Sequence, residues 1–124
     1  MLTAKDIMTT EVVTIQEAAW VAEAIELMKR NNIHALVVEP KGDGDAYGII
    51  SEADIAYKVI APAKDPKSLT VGDIMTKPCI VVNPDLGVEY VARLFANTHI
   101  HKAPVIQETL LGIVSVGDVV RRAM

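Results

Sequence analysis

Two serine–aspartate pairs stand out in this sequence: Ser51/Asp54 in GIISEADI (48–55) and Ser115/Asp118 in GIVSVGDV (112–119). In each, an apolar run ends in a hydroxyl, and a carboxylate follows three residues later. Two chemistries use that spacing. In the first, serine caps a helix and the acid returns a hydrogen bond, a capping box worth about 1 kcal/mol. In the second, the free N–H groups of a helix start favour an anion. The acid one turn in can then accept both hydrogens of a vicinal diol, as acids do for ribose in dinucleotide folds. Neither use needs a general base or a metal. The same atoms serve both, and the sequence leaves both open.

The two junctions belong to a duplication. DIMT occurs at 6–9 and at 73–76, an offset of 67 (73 minus 6). The offset persists through Val13/Ile80, Val21/Val88, Ile33-His34/Ile100-His101 and Val38/Val105. It then falls to 64 at Gly48/Gly112 and Asp54/Asp118 (112 minus 48). The change is absorbed where PKGDGDAY is shortened to QETL, a place where a turn tolerates it.

Each copy reads β-α-β-β-α, an α+β pattern. In the first, a strand over 12–15 precedes a helix over 18–31. Val21, Ala24, Ile25 and Met28 fall at i, i+3, i+4, i+7 on one helical face. Strands over 35–38 and 47–51 follow, then a helix over 52–60. Val88, Val91, Ala92 and Phe95 repeat the helical spacing. The segment APAKDPKSL (61–69) reads as a linker, giving repeats over 1–64 and 65–124. A unit of about 60 residues is marginal alone. Two are expected to pack through their sheets with pseudo-two-fold symmetry, leaving a cleft, a favoured place for a pocket.

Composition excludes several classes. The chain has 124 residues and 51% hydrophobic content, with a mean hydropathy of +0.30. That is more apolar than one small domain needs, so self-association is expected. Apolar runs are too short for a membrane span. MLTAKDIMTTE carries acids and no apolar core, so it does not read as a signal peptide. One cysteine gives no disulfide framework, and a cytoplasmic setting is the simple reading. A net charge of −4 argues against a nucleic-acid surface. No nucleophile–base–orienter set or metal-ligand spacing is visible, so an enzyme and a cofactor are not expected.

The duplicated pattern DIMT…VVTI…AIELMKRNNIHALVV…GIISEADI resembles a tandem pair of CBS domains, regulatory modules named after cystathionine β-synthase. The resemblance covers about residues 3–120. It implies an adenosine-containing ligand, AMP, ADP or ATP, or S-adenosylmethionine, in the cleft between repeats. It implies ribose-holding roles for Asp54 and Asp118, with Ser51 and Ser115 close to ribose or phosphate. IHKAPV (100–105) is similar to the IHRLPV string of the regulatory γ-subunit of AMP-activated kinase, which implies phosphate contacts for His101 and Lys102. The first copy keeps His34 but has Ala35 and Val37 where Lys102 and Pro104 stand, so the phosphate cluster is one-sided. The family's adenine-framing backbone corresponds to Val12-Val13 and Cys79-Ile80. Residues 77–106 are similar to CBS pairs of photosynthetic bacteria that carry a short Calvin-cycle regulatory tail. The 124 residues include no such tail and no paired cysteines, so the likeness alone suggests a carbon-fixation role.

Lys58 and Arg122 each lie four residues after their aspartate. They read either as i,i+4 ion pairs or, with Arg121, as cations guarding the site. The function that follows is a cytoplasmic adenine-nucleotide sensor. It would form a homodimer or higher homo-oligomer and regulate a separately encoded enzyme. An S-adenosylmethionine sensor and a ligand-free interaction scaffold are the rivals.

Overall fold

The computed structural model describes residues 1–123 and shows an α+β chain in two compact units. The elements in order are α1 (Ala4–Ile7), β1 (Thr14–Ile15), α2 (Val21–Asn31), β2 (Ala35–Val38), β3 (Gly48–Ser51) and α3 (Glu52–Ile55). The last runs on into a π-helical turn, Ala56–Ile60. Then come α4 (Val71–Ile74), α5 (Val88–Thr98), β4 (Lys102–Gln107), β5 (Thr109–Ser115) and α6 (Val116–Ala123).

One unit comprises Val13–Cys79. Its sheet has the order β1-β2-β3, with β1 parallel and β3 antiparallel to β2. All four residues of β2 are buried, which suits its unbroken apolar sequence ALVV. α2 buries Val21, Ala24 and Met28 against Leu36, Val38 and Ile50. It starts at Val21 rather than at residue 18, and it ends on Asn32 at φ 51°, a left-handed conformation that asparagine accepts.

The other unit joins Met1–Val12 to the chain from Ile80 onward. Phe95, Val91, Val82, Ala103, Val105 and Val114 form its core with Ala4 and Ile7 of α1. Its sheet has two strands, β4 and β5, where the repeat pattern predicts three. The first strand of this copy shrinks to one parallel bridge, Val82 to Val105. Pro104 is the reason. In the first copy the Val37 N–H donates to the Val13 carbonyl; its counterpart Pro104 has no N–H to offer.

Packing does not follow the sequence repeats. α1 and DIMT 6–9 lie in the unit of the second copy, and α4 and DIMT 73–76 lie in the unit of the first. Val71 and Ile74 are buried with Ile15, Leu36 and Ile50, while Ala4 and Ile7 are buried with Val105 and Val114. The backbone secures each exchange. Thr76 and Ile49 trade both N–H to carbonyl bonds, at 2.9 and 3.0 Å, and Thr9 and Ile113 do the same at 2.9 Å each. The sequence boundary at 64/65 therefore describes the duplication, whereas packing divides the chain at 12/13 and 79/80.

Candidate functional site

In the Val13–Cys79 unit, β3 ends at Ser51, whose extended backbone (φ −119°, ψ 167°) turns the chain into α3. The Ser51 N–H donates to Asp54 Oδ2 at 2.9 Å, and the Ser51 hydroxyl donates to the same oxygen at 3.1 Å. The Asp54 N–H returns a bond to Ser51 Oγ at 3.3 Å. The box engages Oδ2 and leaves Oδ1, the outer oxygen, outside the cap.

The other unit repeats the junction. The Ser115 N–H donates to Asp118 Oδ2 at 2.9 Å, and the Asp118 N–H donates to Ser115 Oγ at 3.1 Å. Asp118 is 7% exposed and is the buried charged residue among those described. Burying a carboxylate is costly unless it is hydrogen-bonded and paired.

Thr3/Asp6 and Thr70/Asp73 form a similar box at the starts of α1 and α4, each threonine N–H donating to its acid at 2.8 Å, while the acid's own N–H donates to the threonine carbonyl. Their acids are exposed. Hydrogen bonds from Thr3 hold the Asp6 carboxyl below its ordinary value. The S-x-x-D acids differ in being sheltered and in meeting cations.

Those cations are Lys58 and Arg122. Lys58 Nζ lies 3.0 Å from Asp54 Oδ1 and donates to the Ile74 carbonyl at 2.8 Å. Arg122 Nε lies 3.6 Å from Asp118 Oδ1, and its Nη1 donates to the carbonyls of Ile7 and Met8 at 3.2 and 3.0 Å. The i,i+4 pairs expected from the spacing are present. Their further contacts, with the carbonyls that close α4 and α1, were not foreseen.

Strand register adds another neighbour. Lys102 pairs with Ser115 across β4 and β5, so the two side chains share one face of the sheet. Ala35 pairs with Ser51 at the matching place. Lys102 has no ion-pair partner among the described residues.

His101 lines a groove of about 390 Å³ with Phe95, Val116, Val119 and Val120. Val116 and Val120 each stand two residues from Asp118, about 200° round α6. Asp118 is not among the residues that line the groove. His34 lines the corresponding groove beside α2 and α3, and its Nδ1 lies 2.9 Å from Glu52 Oε1. The Arg121 guanidinium lies over Gly117, where a Cβ would come within 2.5 Å of Nη2. Val12 and Val13 are half-buried and Ile80 is exposed. Val13 packs against the core of its unit. The Cys79 N–H donates to the Tyr47 carbonyl at 3.1 Å, and burial pushes its thiol up, away from thiolate reactivity.

Sequence reading missed one polar network. Lys77 Nζ lies 2.6 Å from Asp45 and 3.4 Å from Glu17, and Lys41 Nζ lies 2.8 Å from Glu17. Its members are far apart in the chain, so no local pattern announces it. Among the described residues, no group of three or more histidine, cysteine or acidic residues is placed to hold a metal. Nor is any helix long and apolar enough to cross a membrane.

Comparison with known proteins follows the same duplication. The family model for the CBS domain matches residues 4–61 and again 71–124. A hexameric CBS-CP12 protein from bloom-forming cyanobacteria is 56% identical, with a TM-score of 0.97 over 99% of this chain and 72% of that one. CBSX2, solved in complex with AMP, is 26% identical with a TM-score of 0.79, covering 99% of this chain and 97% of that one. The CBS domain pair of MJ0100, solved with 5′-methylthioadenosine and S-adenosyl-L-methionine, is 29% identical with a TM-score of 0.85, covering 99% and 96%.

Proposed function

The chain belongs to the CBS-domain family, and from that premise we propose that it is a regulatory adenine-nucleotide sensor, with Asp118 and Asp54 as its ribose-binding acids. The observation that carries this reading is the Ser115–Asp118 junction. A sheltered carboxylate is held by its own cap on one oxygen, and a lysine with no ion-pair partner among the described residues stands beside the serine on the same sheet face. Ribose hydroxyls take the outer carboxylate oxygen, and Lys102 takes phosphate. AMP is favoured because Lys102 suits an anionic group, and because a neighbour of 26% identity was solved with AMP. The role is regulatory rather than catalytic, in a cytoplasmic homo-oligomer acting on a separately encoded enzyme.

S-Adenosylmethionine is the second reading, carried by the MJ0100 pair. That ligand has the same ribose and no phosphate. Isothermal titration of the purified chain with AMP, ADP, ATP and S-adenosylmethionine separates the readings, with mass determination in parallel. Heat from the adenosine phosphates supports the nucleotide sensor. Heat from S-adenosylmethionine alone supports the rival. No heat from any of the four returns both junctions to helix caps and leaves an interaction scaffold.

A further inference from the structure

Lys58 and Arg122 occupy the same place in the two repeats. Lys58 Nζ meets a carboxylate and one backbone carbonyl, and Arg122 meets a carboxylate through Nε and two carbonyls through Nη1. The carbonyls that close a helix have no N–H partner within it. A cation there is favoured by the helix dipole as well as by hydrogen bonding. Arg122 supplies it to Ile7 and Met8, and Lys58 to Ile74.

The contacts close a ring. From Met8 the chain passes to Thr9, which exchanges two backbone bonds with Ile113. Ile113 lies in β5, two residues before Ser115, and Ser115 caps onto Asp118. Asp118 then returns to Arg122. The other unit has the same ring through Asp54, Lys58, Ile74, Thr76, Ile49 and Ser51. Lysine in one ring and arginine in the other do the same work, so charge and reach matter here, not guanidinium shape.

We infer that Lys58 and Arg122 are positioning residues that couple the charge on each acid to the DIMT arm packed beside it. The inference deepens the proposal that these acids take a ligand's diol. The carboxylate attracts the cation and so helps hold it at the carbonyls, an ion-pair attraction at 3.0 Å for Lys58 and 3.6 Å for Arg122 that adds to the hydrogen bonds. A ligand that draws on the outer carboxylate oxygen competes with the cation and loosens its grip on the helix end. Arg122, at 3.6 Å, is held less closely than Lys58 at 3.0 Å. The Asp118 ring should therefore yield first.

The test is amide hydrogen exchange of the full chain, followed by NMR at Thr9 and Ile113. Asp118→Asn keeps a capping oxygen and removes the charge. It should speed exchange at both amides about twofold, the scale of a half-exposed i,i+4 pair, and Arg122→Met, which also loses the carbonyl bonds, about tenfold. The double variant should add little to Arg122→Met, since the charge acts through that side chain. Arg122→Lys should restore wild-type rates. The Thr76 and Ile49 amides should not move. Unchanged exchange at Thr9 in Asp118→Asn, or fully additive effects in the double variant, overturns the coupling. Should Arg122→Met fail to fold, Lys58→Met with Asp54→Asn, read at Thr76 and Ile49, decides it by the same criteria. AMP is added to the wild type last. AMP that binds and leaves Thr9 exchange unmoved overturns the coupling. AMP that does not bind refutes the nucleotide reading, and the ligand-free variants then judge the coupling alone.

Discussion

Lys102 faces Ser115 across the β4–β5 ladder, while Ala35 faces Ser51 at the equivalent position of the first repeat. The duplication is thus symmetric in its acids and serines and asymmetric in the cation beside them. If the junctions bind nucleotide, phosphate affinity should be concentrated at the second.

Lys102→Ala should weaken AMP binding about tenfold, the scale of one charge-assisted hydrogen bond. Binding of adenosine, which lacks the phosphate, should hardly change. Titration of both ligands against both proteins checks this. An equal loss for adenosine would mean that the lysine shapes the sheet and does not touch phosphate.

Asp118→Ala should weaken AMP binding more than Asp54→Ala does. Each also removes the acid's half of a capping box, at up to about 1 kcal/mol of stability. Calorimetric titration gives the first quantity and thermal melting the second. Equal, small effects on binding would sink the one-sided arrangement.

The Asp45 carboxyl is lowered from 3.8 to about 2, first by the Lys41 backbone N–H and then by the Lys77 side chain. Its folded value lies below its unfolded one. Its stabilisation is therefore fully present above pH 3.8 and lost as pH falls through about 2. Asp45→Asn should be less stable than wild type at pH 5, and the two should converge near pH 2. Urea unfolding at a series of pH values measures this, and a constant gap would contradict it.

Gly112→Ala should destabilise the fold by about 1–3 kcal/mol, the range for overpacking. A Cβ there would meet Met8 Sδ and the Thr9 carbonyl at 2.7 Å each. At Gly48 the matching distances to Met75 and Thr76 are 3.2 Å, so Gly48→Ala should cost less. Chemical denaturation of the two variants compares them. The reverse order would mean that the 8–9 arm is the more easily displaced.

Much of the local structure was legible beforehand. The spacing of Val21, Ala24 and Met28 marks the buried face of α2, and Val91 and Phe95 mark that of α5. A helical face depends only on residues three and four apart. The Ser51–Asp54 and Ser115–Asp118 boxes span three residues and are local in the same sense. The missing strand of the second copy was written in Pro104, but its effect required the strand partner to be known.

What the sequence determined by itself is the duplication, the element types and the polar residues at each strand-to-helix junction. Tertiary structure alone decided which copy each DIMT arm joins. Thr9 and Thr76 sit in the same local sequence, as do Ile113 and Ile49. Local preference therefore cannot choose between the pairings, and side-chain burial and backbone hydrogen bonds across the chain make the choice. The same holds for Lys102 beside Ser115, Lys77 between Asp45 and Glu17, and the carbonyl ends of Lys58 and Arg122. Each depends on register or on contacts between residues distant in the chain, which amino-acid spacing does not encode.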